Sequence, residues 1–422
     1  MFTANITLWL FGLILIGGLS SRLYGDTGHI KIQPYITVQE EYNDNINLTA
    51  KEQKADFIHT LFPGISFSNP KATTGIDFDY RLGLVFYSSA TDNNYISHNG
   101  KLNTWMGLGP MWTLRLKEDF LRSEEPREGD YSLPTSGTQS VYSTNRARAV
   151  FLRNVLEPSV DYQFGKENRF TLGYRNNLYR TQSRLAQDSQ ENMFKTSLIY
   201  WVNVKNGLML DYSYSRGEFE NSPTLRSQSA KVRYSYRLNP KTTYYGEYAF
   251  LRNDFDSPGI NYVVHNPGLG IDHAFNPALS GNVQVGYFWK NSDNGTTNGY
   301  TYQAGLTQRD SKTVYTLSIQ GGYTEDYFTA ENLGFVRFHR AIGKMTHRVR
   351  ERTTLDVSGS LERAEFDPNR TDWIWGLSGN VSYQPLKWLT LFLEISHRED
   401  NSNVESFSYI ENRALFKLTA TY

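Results

Sequence analysis

Apolar and polar residues alternate one for one through most of this chain. Ile76, Phe78, Tyr80, Leu82, Leu84 and Phe86 share one face of an extended segment, and Asp77, Asp79 and Arg81 share the other. Leu208, Leu210, Tyr212 and Tyr214 oppose Asp211, Ser213 and Ser215 in the same way. Ala230, Val232, Tyr234, Tyr236 and Leu238 oppose Lys231, Arg233, Ser235 and Arg237. The pattern returns at Val283, Val285, Tyr287 and Trp289, at Tyr315, Leu317 and Ile319, and at Leu355, Val357 and Leu361. It returns once more at Leu389, Leu391, Leu393 and Ile395, where Phe392 interrupts the polar side. Successive side chains of a strand point to opposite faces. Each segment therefore presents one face to an apolar medium and one to water.

The connections alternate as well. Short turns are predicted at Asn69-Pro70-Lys71-Ala72, Gly109-Pro110, Gly165-Lys166-Glu167-Asn168, Val204-Lys205-Asn206-Gly207 and Asn239-Pro240-Lys241-Thr242. Four more fall at Asn276-Pro277-Ala278-Leu279, Asp310-Ser311-Lys312-Thr313, near Thr346-His347, and at Gln384-Pro385-Leu386-Lys387. Proline fixes φ and Asn or Gly accepts positive φ, which is turn chemistry. Longer polar connections lie between them, the longest over residues 123–145. Nine short turns and ten longer loops predict 20 strands with both chain ends on the short-turn side; 18 is the alternative count.

A soluble sandwich or propeller would pack these apolar faces together, whereas a transmembrane barrel turns them to lipid. Charges such as Asp77, Arg81, Lys231, Arg233, Arg237 and Glu394 on the polar faces suit a wet interior. Aromatic residues near strand ends (Tyr244, Tyr245, Trp289, Trp373, Trp375, Trp388) suit interfacial girdles. The last strand alternates to its final residue, through Ala414, Phe416, Leu418, Ala420 and Tyr422. Phe416, Leu418 and the terminal Tyr422 resemble the sorting signal of outer-membrane barrels. The predicted fold class is an all-β, transmembrane, antiparallel up-and-down barrel.

Composition agrees with this. The bias to 29 Tyr, 24 Phe and 33 Gly is that of strands. Zero cysteines exclude a disulfide scaffold, a thiolate metal site, a Cys nucleophile and a lipidated N-terminal Cys. With 43 basic and 43 acidic residues there is no electrostatic footprint for nucleic acid. Residues 6–19, ITLWLFGLILIGGL, have the length of a secretory apolar region and fall short of the ~20 residues of a membrane helix. The preceding MFTAN carries no Lys or Arg, a departure from the usual leader. Cleavage after Gly25 is expected, with a site near Ser20 as the alternative. The expected organisation is a signal peptide over 1–25 and an outer-membrane barrel of a Gram-negative bacterium over 26–422.

Catalytic chemistry is not legible. The eight histidines are scattered without an HxxxH or HExxH spacing. His98-Asn99-Gly100 beside Ser97, expected at the end of a loop, faintly resembles the neighbourhood of barrel phospholipases. The acidic stretch 39–45 lacks the Asp-x-Asp-x-Asp-Gly spacing of a calcium loop. Gly268-Leu269-Gly270 belongs to a strand and not to a phosphate loop. No enzyme activity, cofactor or metal is expected. The candidate site is instead a set of lumen or rim charges: Arg81, Arg115, Lys117, Arg175, Lys231, Arg233 and Arg237, with Arg337, Arg340, Arg348 and Arg350 in one basic run. They would bias a pore toward anions if they gathered at a constriction, but Asp77, Asp79, Asp211, Asp356 and Glu394 make the lumen mixed in sign.

Val38-Gln39-Glu40-Glu41-Tyr42-Asn43-Asp44-Asn45-Ile46, followed by Lys54-Ala55-Asp56-Phe57-Ile58 and Phe62-Pro63-Gly64-Ile65, resembles a family of outer-membrane barrels associated with exosortase and exopolysaccharide loci. Leu333-Gly334-Phe335-Val336-Arg337 and Leu355-Asp356-Val357-Ser358-Gly359-Ser360 add to the likeness. Met345-Thr346-His347-Arg348-Val349 departs from the family's usual turn. The resemblance implies a barrel porin linked to polysaccharide secretion. Its implied partners are outer-membrane lipid, the barrel-assembly machinery, periplasmic polysaccharide-export proteins and the polysaccharide itself. It implies no catalytic residues. A general diffusion porin, or a small-solute uptake channel, needs only the barrel and is the first alternative; a barrel enzyme acting on lipid or glycan is the second, and no catalytic constellation supports it.

Overall fold

The computed structural model describes residues 30–71, 73–125, 148–184, 186–328, 332–367 and 369–422. The apolar stretch 6–19 expected to be a signal peptide, and most of the long segment 123–145, lie outside the described residues. Twenty strands follow in order. The first five are β1 (Lys31–Asn43), β2 (Asp56–Pro70), β3 (Thr74–Tyr87), β4 (Tyr95–Leu108) and β5 (Trp112–Ser123). Next come β6 (Phe151–Gln163), β7 (Arg169–Thr181), β8 (Ser189–Trp201), β9 (Asn206–Phe219) and β10 (Leu225–Asn239). Then come β11 (Thr242–Phe255), β12 (Tyr262–Ala274), β13 (Leu279–Ser292), β14 (Gly295–Arg309) and β15 (Thr313–Asp326). The last are β16 (Gly334–Arg350), β17 (Thr353–Phe366), β18 (Arg370–Leu386), β19 (Leu389–Ser402) and β20 (Tyr409–Thr421).

Each strand pairs antiparallel with the next, and β1 pairs with β20 from Tyr35↔Thr421 to Asn43↔Arg413. The sheet is a closed barrel of 20 strands, which removes the free edges of an open sheet. With strands about 4.8 Å apart and tilted about 40°, twenty of them enclose a backbone cylinder about 40 Å across. Strands of 12 to 17 residues are longer than the about 10 a bilayer core requires, so they project beyond it.

The nine predicted short turns lie at one end, with both described chain ends, and the other ten connections lie at the opposite end; most of these are longer, but β13 and β14 are joined by Asp293-Asn294 alone. Local chemistry sets the turns. Asn276 Oδ1 accepts from the backbone N–H of Ala278 and Leu279, and Asn239 Oδ1 accepts from Lys241. Gly109 takes φ +76° at another. Two turns sit further along than the sequence predicts. β16 runs through Thr346-His347, because His347 is paired with Thr313 on one side and Leu355 on the other. The chain reverses at Glu351-Arg352, after a bulge at Arg348/Arg350. A second bulge, between Tyr383 and Leu386, moves the last reversal to Lys387-Trp388.

The apolar faces point outward as the alternation requires: Ile32, Ile36, Val38, Leu269, Val285, Leu317, Leu377, Leu393 and Ile395 are exposed. Most of the buried apolar core, by contrast, lies inside the barrel at the loop end. Among the described residues it gathers into four clusters. The largest joins Leu251, Tyr262, Val264, Phe288 and Phe335, and another joins Val336, Ala364, Phe366 and Ile374. Ile46, Ile58, Val85 and Tyr87 form a third beneath the β1–β2 loop, and Leu121, Phe151 and Tyr179 a fourth.

Candidate functional site

The inward faces carry charge that is almost everywhere matched. Arg115 Nε donates to Asp161 at 2.8 Å, and Lys195 Nζ reaches Glu157 at 2.8 Å. Arg233 approaches Glu247 at 2.6 Å with its guanidinium 4.3 Å over the Tyr245 ring. Tyr245 is thus an inward residue; its ring lies on Gly270, where a Cβ would come within 2.2 Å of it, and not in the outer girdle. Lys231 lies 3.6 Å from Asp211, and Arg413 pairs with Glu394. Near the turn end Arg237 binds Glu167 at 2.8 Å and covers the Trp201 ring. That hydrogen bond holds the Glu167 carboxyl, which sits in the β6–β7 turn, below its ordinary pKa. Arg81 lies over the Phe62 ring at 5.1 Å, and Lys117 stands opposite Glu157 in the ladder.

Deeper toward the loops the pairs become buried. Arg175 and Glu191 are 2.7 Å apart with side chains 5% and 2% exposed, and Arg340 and Glu362 are 2.7 Å apart at 2% and 0%. Buried charges persist only where they are paired, and these two pairs brace adjacent strands. The basic run on β16 is not gathered at one level. Arg340 points inward, and Arg337, three residues away, lies on the outer face against Glu365 at 2.6 Å. Arg348 and Arg350 are exposed at the turn end. At about 3.3 Å per residue the run is spread along some 40 Å of strand, so it forms no ring.

The other sequence candidates separate in the same way. His98 sits within β4 and not in a loop; its ring accepts or donates at 2.8 Å to the outward Tyr80, whereas Ser97 is buried on the inward face. Strand alternation thus splits the Ser-His-Asn neighbourhood across the wall. Among the described residues no three histidine or acidic side chains gather as a metal site. Phe416 is exposed on the outer face of β20, and Tyr422 N–H donates to Pro34 at 2.9 Å beyond the strand's end.

The feature sequence reading missed lies at the loop-side mouth. β14 and β15 are paired from Arg309↔Val314 only as far as Tyr302↔Gly321. Above that level β15 stays with β16 up to Asp326↔Gly334 but leaves β14. The upper part of this hairpin leans inward over β11–β13. Tyr323 packs 4.9 Å from Phe288, and Phe335 lies edge-on to Tyr262 at 5.9 Å. The Glu325 carboxylate accepts from Asn253 Nδ2 at 2.6 Å and from the Tyr262 hydroxyl. Tyr262 and Tyr327 share a hydroxyl–hydroxyl bond of 2.6 Å. Burial, and then the Glu325 charge, raise the Tyr327 hydroxyl pKa well above its ordinary value. Lys290 Nζ lies 4.3 Å from the Phe335 ring centre and 3.6 Å from Asp367. Beyond it Phe328 stacks on Phe219 at 5.3 Å, over Gly217, where a Cβ would lie 2.5 Å from the Phe328 ring. A signal that could have found it is the pair Gly321-Gly322, which directly follows the alternating segment Tyr315, Leu317 and Ile319.

Residues 225–422 match the model of a family described as "Putative beta-barrel porin 2". No curated protein matches the chain. Among solved structures the chain is similar to the FrpB iron transporter from Neisseria meningitidis, with a TM-score of 0.58 at 8% identity, covering 92% of this chain and 82% of that one. It is also similar to the ferric enterobactin receptor PfeA from Pseudomonas aeruginosa, with a TM-score of 0.55 at 9% identity over 93% and 80%. A third is the siderophore receptor PirA from Pseudomonas aeruginosa, at 0.51 and 10% over 94% and 81%. At these identities the likeness is one of fold. The chain is a porin-like barrel of the Gram-negative outer membrane.

Proposed function

We propose that the barrel conducts a surface polysaccharide outward, receiving it at the turn-side mouth from periplasmic export proteins. The observation that carries this reading is the matched lumen wall. Most of its charges are paired between adjacent or next-neighbour strands, and between them stand hydroxyl contacts such as Thr37–Thr419 at 2.8 Å and Ser358–Ser378 at 2.7 Å. Such a wall offers a polyhydroxylated chain many weak hydrogen bonds and no deep ionic trap, so the polymer can bind and leave. The inward hairpin supports the reading from the other end. A pore about 40 Å across between backbones would leak solutes if it stood fully open, and a mouth narrowed by an inward hairpin suits an exporter better than a constitutive sieve. The resemblance of residues 38–65 to exosortase-linked barrels points the same way.

The test is a clean deletion with complementation, measuring surface against periplasmic polysaccharide. Loss from the surface with periplasmic accumulation, restored by the gene, is the expected result. Unchanged surface polymer would overturn the proposal. The match of residues 225–422 to a porin model keeps solute diffusion as the second reading. A large steady conductance in planar bilayers, insensitive to added polysaccharide, would favour it.

A further inference from the structure

The hairpin β15–β16 has left a place in the wall that still fits it. Among the described residues no strand pairs with 295–301 of β14 on the side away from β13. Thr296, Asn298 and Tyr300 are exposed there, and Tyr300 is 74% exposed. A row of unpaired backbone groups is a template for another strand. The register of Tyr302↔Gly321, continued upward, sets Thr301 opposite Gly322, Tyr300 opposite Tyr323 and Gly299 opposite Thr324.

The side chains suit that continuation. Tyr315, Leu317, Ile319 and Gly321 face outward along β15, and Thr316, Ser318 and Gln320 face inward. Tyr323 and Thr324 keep the alternation, so in the wall Tyr323 would join Tyr300 outside and Thr324 would line the lumen. In the present arrangement Tyr323 instead packs inside, on Phe288. The departure happens at Gly322, whose φ of +148° favours glycine and where a Cβ would meet Thr301 Cγ2 at 2.9 Å.

We propose that this hairpin is a two-position tongue hinged at Gly322. In the position observed it lies inside the mouth against β11–β13, where it narrows the lumen, tied by Glu325 to Asn253 and Tyr262. In the other, residues 322–326 zip onto 297–301 of β14, complete the wall and widen the lumen. The same stretch of sequence serves both positions, which is why its alternation agrees with a wall strand while its contacts are those of a plug.

The cysteine-free chain allows a direct test. A Tyr300→Cys/Tyr323→Cys pair would be directly opposed only in the zipped position, within disulfide reach. Ala304→Cys/Ile319→Cys is opposed in the observed wall, two steps down the same ladder and in the same type of pair. Both variants, refolded into vesicles and checked for the folded gel shift, are treated with a mild oxidant and then studied in planar bilayers. The expected result is an intramolecular disulfide in both, with at least a tenfold rise in open probability for 300/323 alone, reversed by reduction. A disulfide in the 304/319 control without one in 300/323 would overturn the proposal. So would a 300/323 disulfide that leaves conductance unchanged. If the 300/323 pair fails to fold, Glu325→Gln/Phe335→Ala, which loosens the tongue without touching β14, replaces it. Unchanged open probability in that variant would overturn the proposal as well.

Discussion

Replacing Arg340 by Met distinguishes a pore charge from a wall strut. Its Nε donates to Glu362 Oε2 at 2.7 Å, the two side chains are 2% and 0% exposed, and they face each other directly across the β16–β17 ladder. The guanidinium also lies 4.8 Å from the Phe338 ring. Removing one partner of a buried pair strands the other charge, at a cost of about 3–5 kcal/mol, whereas exchanging both for apolar groups of similar volume is close to neutral. Arg340→Met should therefore lose about 3–5 kcal/mol, and Arg340→Met/Glu362→Leu should recover to within about 1–2 kcal/mol of the parent. The assay is denaturant unfolding of the barrel in lipid vesicles, followed by tryptophan fluorescence and by the gel shift of the folded form. Reversal potentials under a salt gradient give the second readout, and the double variant should leave them unchanged because the pair carries no net charge. A stability change below about 1 kcal/mol, together with a shift in ion preference, would refute the reasoning and return Arg340 to the conduction path.

Phe288→Ala removes a ring that is 1% exposed and packs on Tyr323 and Phe335. The full cost of such a truncation is about 3–5 kcal/mol, and if about 1.4 kcal/mol of it falls on tongue docking the open population rises tenfold in single-channel records. Gly75→Ala would place a Cβ 2.1 Å from Trp105 Cζ2. The ring would have to leave its bond from Nε1 to the Lys71 carbonyl, and unfolding should show a loss of about 1–3 kcal/mol. Glu167 is held below its ordinary pKa by the hydrogen bond from Arg237. A depressed carboxyl contributes stability above its unfolded pKa and loses it as pH falls through the folded one, so acid unfolding should show a small step at and below the ordinary carboxylate range. Glu167→Gln should abolish that step, and high salt should shrink it.

Strand number and sidedness were legible because lipid-facing and lumen-facing residues must alternate; connection length was less so, since the polar stretch 292–297 read as a longer loop is a tight turn at Asp293-Asn294 with Gly295–Thr297 already in β14. Asn-Pro turns were legible because their chemistry is local. The turn expected at Thr346-His347 failed for a non-local reason: Thr313 and Leu355 on the flanking strands carry β16 past it. The candidate site was legible only in part. Parity placed Arg115, Arg175, Lys231, Arg233 and Arg237 inside, but it could not show that Asp161, Glu191, Asp211, Glu247 and Glu167 would cancel them. The basic run on β16 looked like a cluster in one dimension and is a line along the barrel in three. The inner apolar layer was hidden because Val264, Phe288 and Ala364 sit on the face that is polar lower down the same strands. Alternation alone reports which side a residue faces, but not which medium fills that side at a given height.

Under the proposed two-position hairpin, that change of medium with height would put control of the pore at its loop end. The inward position of the tongue buries much of Tyr323, Tyr327, Phe328 and Phe335, and a fully buried large apolar side chain contributes about 1.5–3 kcal/mol. Four such rings give about 6–12 kcal/mol before the entropy of fixing them is subtracted. Zipping residues 322–326 onto β14 restores about five ladder hydrogen bonds at about 0.5–1.5 kcal/mol each, and it pairs Tyr323 with Tyr300 on the outer face. At their midpoints, about 9 and about 5 kcal/mol, the two sides differ by about 4 kcal/mol, at the edge of the range in which the minor position is populated at about 0.1–10%. A polymer in the lumen that touches the tongue from below need therefore contribute only about 4 kcal/mol of differential binding to tip the balance outward. A solute too small to reach the tongue contributes none. If the barrel exports a polymer as proposed, a hairpin that parts from the wall at Gly322 and not at its base would couple opening to occupancy by a long chain.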